Sequence, residues 1–156
     1  GTHAMAFGNM CPFDAPQDAK LEGWLLKRGA GTHWPWRPRW CVLRDVSTRV
    51  GHASKSVEVS APRLDVYMTE LLTKKTGSFA ISAGTLCSEL WENAGHGHAV
   101  KYQSRPCGFM LDVNPLAGKD RPLYYFDAQE PSKLKAWLWA IRTTVKNLGK
   151  LSAVKR

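Results

Sequence analysis

Lys27, Arg37 and Arg39 carry the chemistry that stands out in the first third of the chain. Lys27 and Arg28 close one short alternating stretch, and Arg37-Pro38-Arg39 opens the next. Alternate side chains on a β-strand point the same way, so Arg37 and Arg39 project together. If the two stretches pair as a hairpin, Lys27 joins them from the neighbouring strand. Three cations converging on one spot suit a phosphate monoester, which a guanidinium can hold through two parallel hydrogen bonds. A plainer reading stands beside this one: hairpin cations often form a solvated face, and Arg39 could serve in a cross-strand ion pair. Pro38 removes a backbone donor, so the second strand must bend or lie at an edge there.

Trp34-Pro35-Trp36 lies between the two basic stretches. Tryptophan beside cations favours the headgroup layer of a membrane, which makes Trp34 and Trp36 candidate inserting residues. The competing expectation is loop packing onto Trp24 or Trp139. In the N-terminal arm, Gly8-Asn9-Met10-Cys11 has the pattern of dual acylation, with myristate on Gly8 and palmitate on Cys11. One acyl chain binds a membrane only marginally, and a thiol-linked chain or a basic surface would add the second signal. Phe7 precedes Gly8 here, and Pro12 stands where a hydroxyl residue is usual.

Other constellations are weaker. His96-Gly97-His98 with Glu89 and Glu92 lacks a metal-ligand spacing of known specificity, and no Ser-His-Asp or Cys-His context accompanies it. No catalytic residue, metal or cofactor is therefore expected, and the chain reads as a binding module rather than an enzyme. Seven basic residues from Lys133 to Arg156, with no acid among them, could follow a nucleic-acid backbone. No helix-turn-helix, RNP-like strand or zinc spacing supports that, and cations late in a helix also complement its dipole, so nucleic acid is not expected as a partner.

The elements that must hold these residues follow from periodicity. Lys20–Arg28 alternates, with Leu21, Gly23 and Leu25 on one face and Glu22 and Trp24 on the other. Trp36–Arg44 is a second strand, with Trp40, Val42 and Arg44 on one face and Arg39, Cys41 and Leu43 opposite. Residues 45–62 read as a long loop, part of which could be an extra strand. Further strands are expected at 63–70, 78–82, 86–91, 100–102, 109–113 and 123–127, separated by turn clusters. From Pro131 the period changes: Leu134, Trp137, Leu138, Ile141, Val145 and Leu148 fall at helical spacing, and Gly149 reads as the stop.

A chain of 156 residues, 44% hydrophobic and 22% charged, is long and apolar enough to bury a core, which excludes wholesale disorder. No stretch is apolar enough for a transmembrane helix. Cys11, Cys41, Cys87 and Cys107 lack the spacing of a disulfide framework or zinc site. The net charge of +9 predicts an anionic partner. Residues 20–44 hold six basic residues against one acid, Glu22.

The motifs, in their order, resemble a known family. Leu21-Glu22-Gly23-Trp24-Leu25-Leu26-Lys27-Arg28-Gly29 followed by Trp36-Arg37-Pro38-Arg39-Trp40-Cys41-Val42-Leu43 resembles the opening hairpin of a pleckstrin-homology (PH) domain. Leu123–Ala128 resembles the strand feeding that family's final helix, and Trp137 its signature tryptophan. The resemblance implies a mainly β fold, a seven-stranded bent antiparallel sandwich or barrel capped by one C-terminal α-helix. It also implies that Lys74 and Lys75, then Lys119 and Arg121, line the headgroup pocket from neighbouring loops. With the arm included, the chain resembles the acylated PH-domain proteins of apicomplexan parasites. That likeness implies phosphatidic-acid sensing on the cytosolic face of secretory organelles, in regulated exocytosis.

The resulting expectation is specific. Residues 1–6 are an expression remnant, 7–19 a flexible arm, 20–149 the domain and 150–156 a basic tail. The domain binds an anionic phospholipid headgroup, phosphatidic acid ahead of a phosphoinositide, through Lys27, Arg28, Arg37, Arg39, Lys74, Lys75, Lys119 and Arg121. It works as a monomer, peripheral on the cytosolic face of a secretory organelle or the plasma membrane. The alternative is a protein-interaction adaptor on the same fold without specific lipid binding.

Overall fold

The computed structural model describes residues 19–29, 35–51, 55, 57–90 and 105–154. Among the described residues seven strands precede one helix: β1 (Ala19–Arg28), β2 (Trp36–Val50), β3 (Val57–Tyr67), β4 (Lys75–Ala80), β5 (Leu86–Glu89), β6 (Gly108–Asp112), β7 (Tyr124–Asp127) and α1 (Pro131–Val154). The strands form one sheet in the order β4-β3-β2-β1-β7-β6-β5. This is the expected architecture of seven antiparallel strands and a C-terminal helix. The strand expected at 100–102 lies outside the described residues.

Two compact units divide the chain, Gly1–Gly23 with Trp40–Ile81 and Trp24–Arg39 with Ser82–Arg156. In the first, β2 and β3 pair without a break from Trp40↔Tyr67 to Val50↔Val57. Residues 45–50 and 57–62 are therefore strand rather than loop. They extend the hairpin, and Gly51, at φ +114°, occupies a backbone conformation at its tip that glycine adopts at little cost. The β-branched run Val46, Thr48, Val50, Val57 and Val59 favours this extended backbone.

Cys41 to Arg44 are buried on both faces of β2. Val42, Tyr67 and Leu72 form a core cluster with Trp40 and Ala19 against it. Leu72 has φ +56°, rare for a residue with a side chain, and its burial in this cluster holds it there. Beside the apolar core lies a polar one. Arg44 Nε donates to Asp65 Oδ2 at 3.0 Å, Arg44 Nη2 to the Tyr67 hydroxyl at 3.1 Å, and Ser78 Oγ to Asp65 Oδ1 at 2.6 Å. Arg63 Nε adds a 2.9 Å bond to Asp65.

In the second unit, β6 pairs with both β5 and β7, and β7 with the end of β1. Phe109 and Phe126 stack with centroids 5.2 Å apart, among buried Leu25, Leu90 and Leu111. The helix packs on β5 and β6, burying Leu134, Trp137, Leu138 and Ile141, the expected stripe. Its first turn opens at Pro131, where Leu134 N–H bonds the Glu130 carbonyl at 3.0 Å. Gly149 does not end it. The helix continues to Val154, because Lys150-Leu151-Ser152-Ala153 contains no proline and one glycine costs only about 1 kcal/mol.

Candidate functional site

Six basic residues lie between positions 20 and 44, and the fold sorts them. Arg44, 1% exposed, is fixed on Asp65, so it is a core residue. Lys20 pairs with Asp45 at 3.5 Å. Lys27, Arg28, Arg37 and Arg39 remain, at the facing ends of β1 and β2, which are neighbours in the sheet and here belong to the same unit.

Alternation places Lys27 on the face of buried Leu25, at the open end of the strand. Its ammonium lies 5.8 Å from the centre of the Tyr124 ring, a residue not foreseen in the site, and donates to the Arg28 carbonyl at 3.4 Å. The register that aligns them is Lys27↔Phe126 and Leu26↔Asp127. Arg28 alternates to the other face and donates to the Gly29 carbonyl at 3.1 Å. Arg39 Nη1 donates to the Pro38 carbonyl at 2.8 Å. Arg37 is exposed and has no ion pair or hydrogen bond among the described residues. β2 runs through Pro38 unbroken, because the β3 ladder ends at Trp40 and claims no donor from position 38.

Trp36 is half-buried and covered. The Arg105 guanidinium lies 4.7 Å from its ring centre and is itself held by Asp127 at 3.1 Å. A stacked cation of this kind packs one face of the indole against its own unit and leaves part of the ring at the surface. Arg105 is not among the expected site residues, since an Arg-Pro pair gives no sequence signal of a stacking partner. Trp34, Gly8 and Cys11 lie outside the described residues.

Of the loop cations, Lys119 is exposed, whereas Arg121 is engaged. Its Nε and Nη2 bond the Asp112 carboxylate at 2.7–3.0 Å, and its Nη1 donates to the Gly118 carbonyl at 2.9 Å. The hydrogen bond to Asp112 pushes its pKa further up, and the carboxylate cancels its charge locally. Lys74 and Lys75 belong to the other unit. Lys74 is exposed, and Lys75 lies 3.6 Å from Asp65 and 5.7 Å from the Tyr67 ring centre.

Among the described residues no cluster of three or more metal-ligating side chains occurs. Glu89 lies on β5, and His96, His98 and Glu92 lie outside the described residues. Cys41, Cys87 and Cys107 are buried thiols.

The PH domain family model matches residues 19–146. Among solved structures, the chain is similar to the C-terminal PH domain of pleckstrin in complex with D-myo-Ins(1,2,3,5,6)P5. There the identity is 17% and the TM-score 0.53, over 81% of this chain and 95% of that one. It is also similar to the PH domain of human pleckstrin homology domain-containing protein family A member 5, at 18% identity and TM-score 0.54, over 85% and 82%. At these identities the likeness concerns the fold. No curated protein matches. The match does not reach Gly8 or Cys11, and nothing in the comparisons supports an acylated apicomplexan protein.

Proposed function

Because the chain belongs to the PH domain family, whose members commonly bind phosphoinositides or mediate protein interactions, we propose that its β1–β2 hairpin binds an anionic phospholipid headgroup. Lys27, Arg37 and Arg39 would be its principal contacts, with Arg28 and Lys119 adding charge. The observation that carries this reading is Arg37, an exposed guanidinium without an internal partner among the described residues, on the strand next to Lys27. A guanidinium without a carboxylate offers both arms of its fork to a phosphate.

The proposed headgroup is phosphatidic acid, ahead of a phosphoinositide. Support comes from Arg121 and Lys75, which each face a carboxylate: with their charge offset, a single phosphomonoester suits the site better than a multiply phosphorylated inositol, which needs more cations. The inositol pentakisphosphate on pleckstrin's domain favours the second choice. Lys74, in the other unit, is a separate candidate for lipid contact. The role of Trp34 as a wedge, acylation of Gly8 and Cys11, and work in regulated secretion on the cytosolic face of an organelle rest on sequence alone. Acylation of Gly8 requires a chain that begins there.

Vesicles of phosphatidylcholine doped with phosphatidic acid, phosphatidylserine or a phosphoinositide at matched charge test the proposal. The acid-doped vesicles should sediment the protein, and pure phosphatidylcholine should not. Each basic residue near the surface adds about 1 kcal/mol, so Arg37→Ala with Arg39→Ala should weaken binding about tenfold to a hundredfold. Equal binding by the double variant would remove the site. Equal binding to all anionic lipids would reduce it to electrostatic adsorption.

A further inference from the structure

The outer face of α1 is not that of an ordinary solvated helix. Trp139 is 71% exposed, beside buried Trp137 and Leu138. Lys135, Trp139, Arg142 and Lys146 line a groove of ≈ 330 Å³, with Leu138 at its base and Glu89 of β5 on its far side. At helical spacing these four residues form one stripe, from i to i+4, i+7 and i+11. The stripe is about 16 Å long, the reach of about five residues of extended chain. The helix carries five basic residues and no acid.

Among the described residues the strand side of the groove is a sheet edge, because β5 ends the strand order. Leu90 N–H bonds Gly108 of the neighbouring strand, so by alternation Cys87 and Glu89 turn their backbone groups outward. Arg142 Nε donates to the Cys87 carbonyl at 2.9 Å, which places an edge acceptor on the helix side.

We propose that this groove docks an extended, acidic peptide segment of a partner protein. An aliphatic side chain of the peptide rests on Trp139 and Leu138, and its carboxylates pair with Lys135 and Lys146, which are exposed. The peptide backbone runs along the edge of β5. Charge complementarity selects the acidic partner. The Glu89 carboxylate on the strand wall opposes an anionic bilayer, while a peptide meets it with N–H groups. The site is separate from the hairpin proposed to bind lipid, so each can fail without the other.

The probe is a fluorescein-labelled nine-residue peptide alternating glutamate with leucine, titrated into the full chain by anisotropy and by amide and indole NMR. The controls are the same peptide with lysine for glutamate and with serine for leucine. Saturable binding is expected, with shifts of the Trp139 indole and the Cys87 and Glu89 amides. Both controls should lose at least tenfold in affinity. Trp139→Ala and Lys135→Glu with Lys146→Glu should each lose tenfold or more while vesicle binding through the hairpin persists. Trp139 and the two lysines are exposed, and a matching circular dichroism melt separates lost binding from lost fold. No binding of the acidic peptide, shifts confined to Lys27 and Arg37, or equal affinity in both variants would overturn the proposal. So would anionic vesicles that shift the Trp139 indole while the peptide does not.

Discussion

Arg37, Arg44 and Arg121 show how little a residue type says about its work. Arg37 is exposed; Arg121 is locked on Asp112; Arg44 lies in the core on Asp65. Asp65 is the centre of the polar core. Burial pushes its carboxyl up, but the bonds from Ser78 and Arg63, with the charges of Lys75 and Arg63, outweigh it and hold the pKa below the ordinary 3.8. A carboxylate with a lowered folded pKa stabilises the fold fully above its unfolded pKa. That contribution is lost as pH falls through the folded value. Thermal unfolding should therefore be level near neutrality on this account and decline below about pH 4. Asp65→Asn would leave Arg44 buried without its charge partner, at a cost of about 3–5 kcal/mol in urea denaturation. Its remaining stability should fall less steeply in acid. An unchanged midpoint and an unchanged acid slope would show that the network is not anchored on Asp65.

At the scale of elements, hairpin and helix both run further than their local signals imply. Polar residues at 45–62 resemble a loop, yet the unbroken β2–β3 register carries 45–50 and 57–62 as strand. Gly149 resembles a stop, yet α1 passes through it. A Cβ at position 149 would meet no heavy atom within 4 Å, and its backbone is not left-handed. Gly149→Ala should then stabilise the fold by about 0.5–1 kcal/mol through the entropy of the unfolded chain. A lower melting temperature for this variant would mean that the last turns of α1 do not form with the domain. The same elements decide where the cations go. Pairing of β1 with β7 brings Tyr124 under Lys27, and Arg105, which donates to Asp127, covers Trp36.

For the whole molecule, +9 is a field as well as a set of contacts. The field is screened over about 8 Å at physiological salt and about 3 Å at 1 M. Vesicle binding should weaken steeply as salt rises, and a headgroup held in contact should leave a residual preference at high salt. Sedimentation at rising salt checks this, and binding indifferent to salt would exclude the cationic surface as its cause. Among the described residues no helix is long and apolar enough to cross a membrane. The class of the fold was readable because its signals are local: alternation in β1 and β2, helical spacing from Leu134 to Ile141, and the hairpin motif around Gly23 and Trp36. The placement of Arg37 and Arg39 on one strand was readable for the same reason, since strand period fixes which side chains point together.

What the sequence determined by itself was periodic and short-range: strands followed by one helix, a buried Trp137, and a basic hairpin. Only the tertiary structure decided which charges are already neutralised. Arg121 meets Asp112 nine positions away, Arg44 meets Asp65 across two strands, and Arg105 reaches Trp36 from a loop far along the chain. Trp139 stands exposed two residues from a buried tryptophan, and its neighbour across the groove, Glu89, comes from an edge strand. Chain composition fixes the total charge, but pairing depends on distance in space, and distances between remote residues are set by strand register and helix packing.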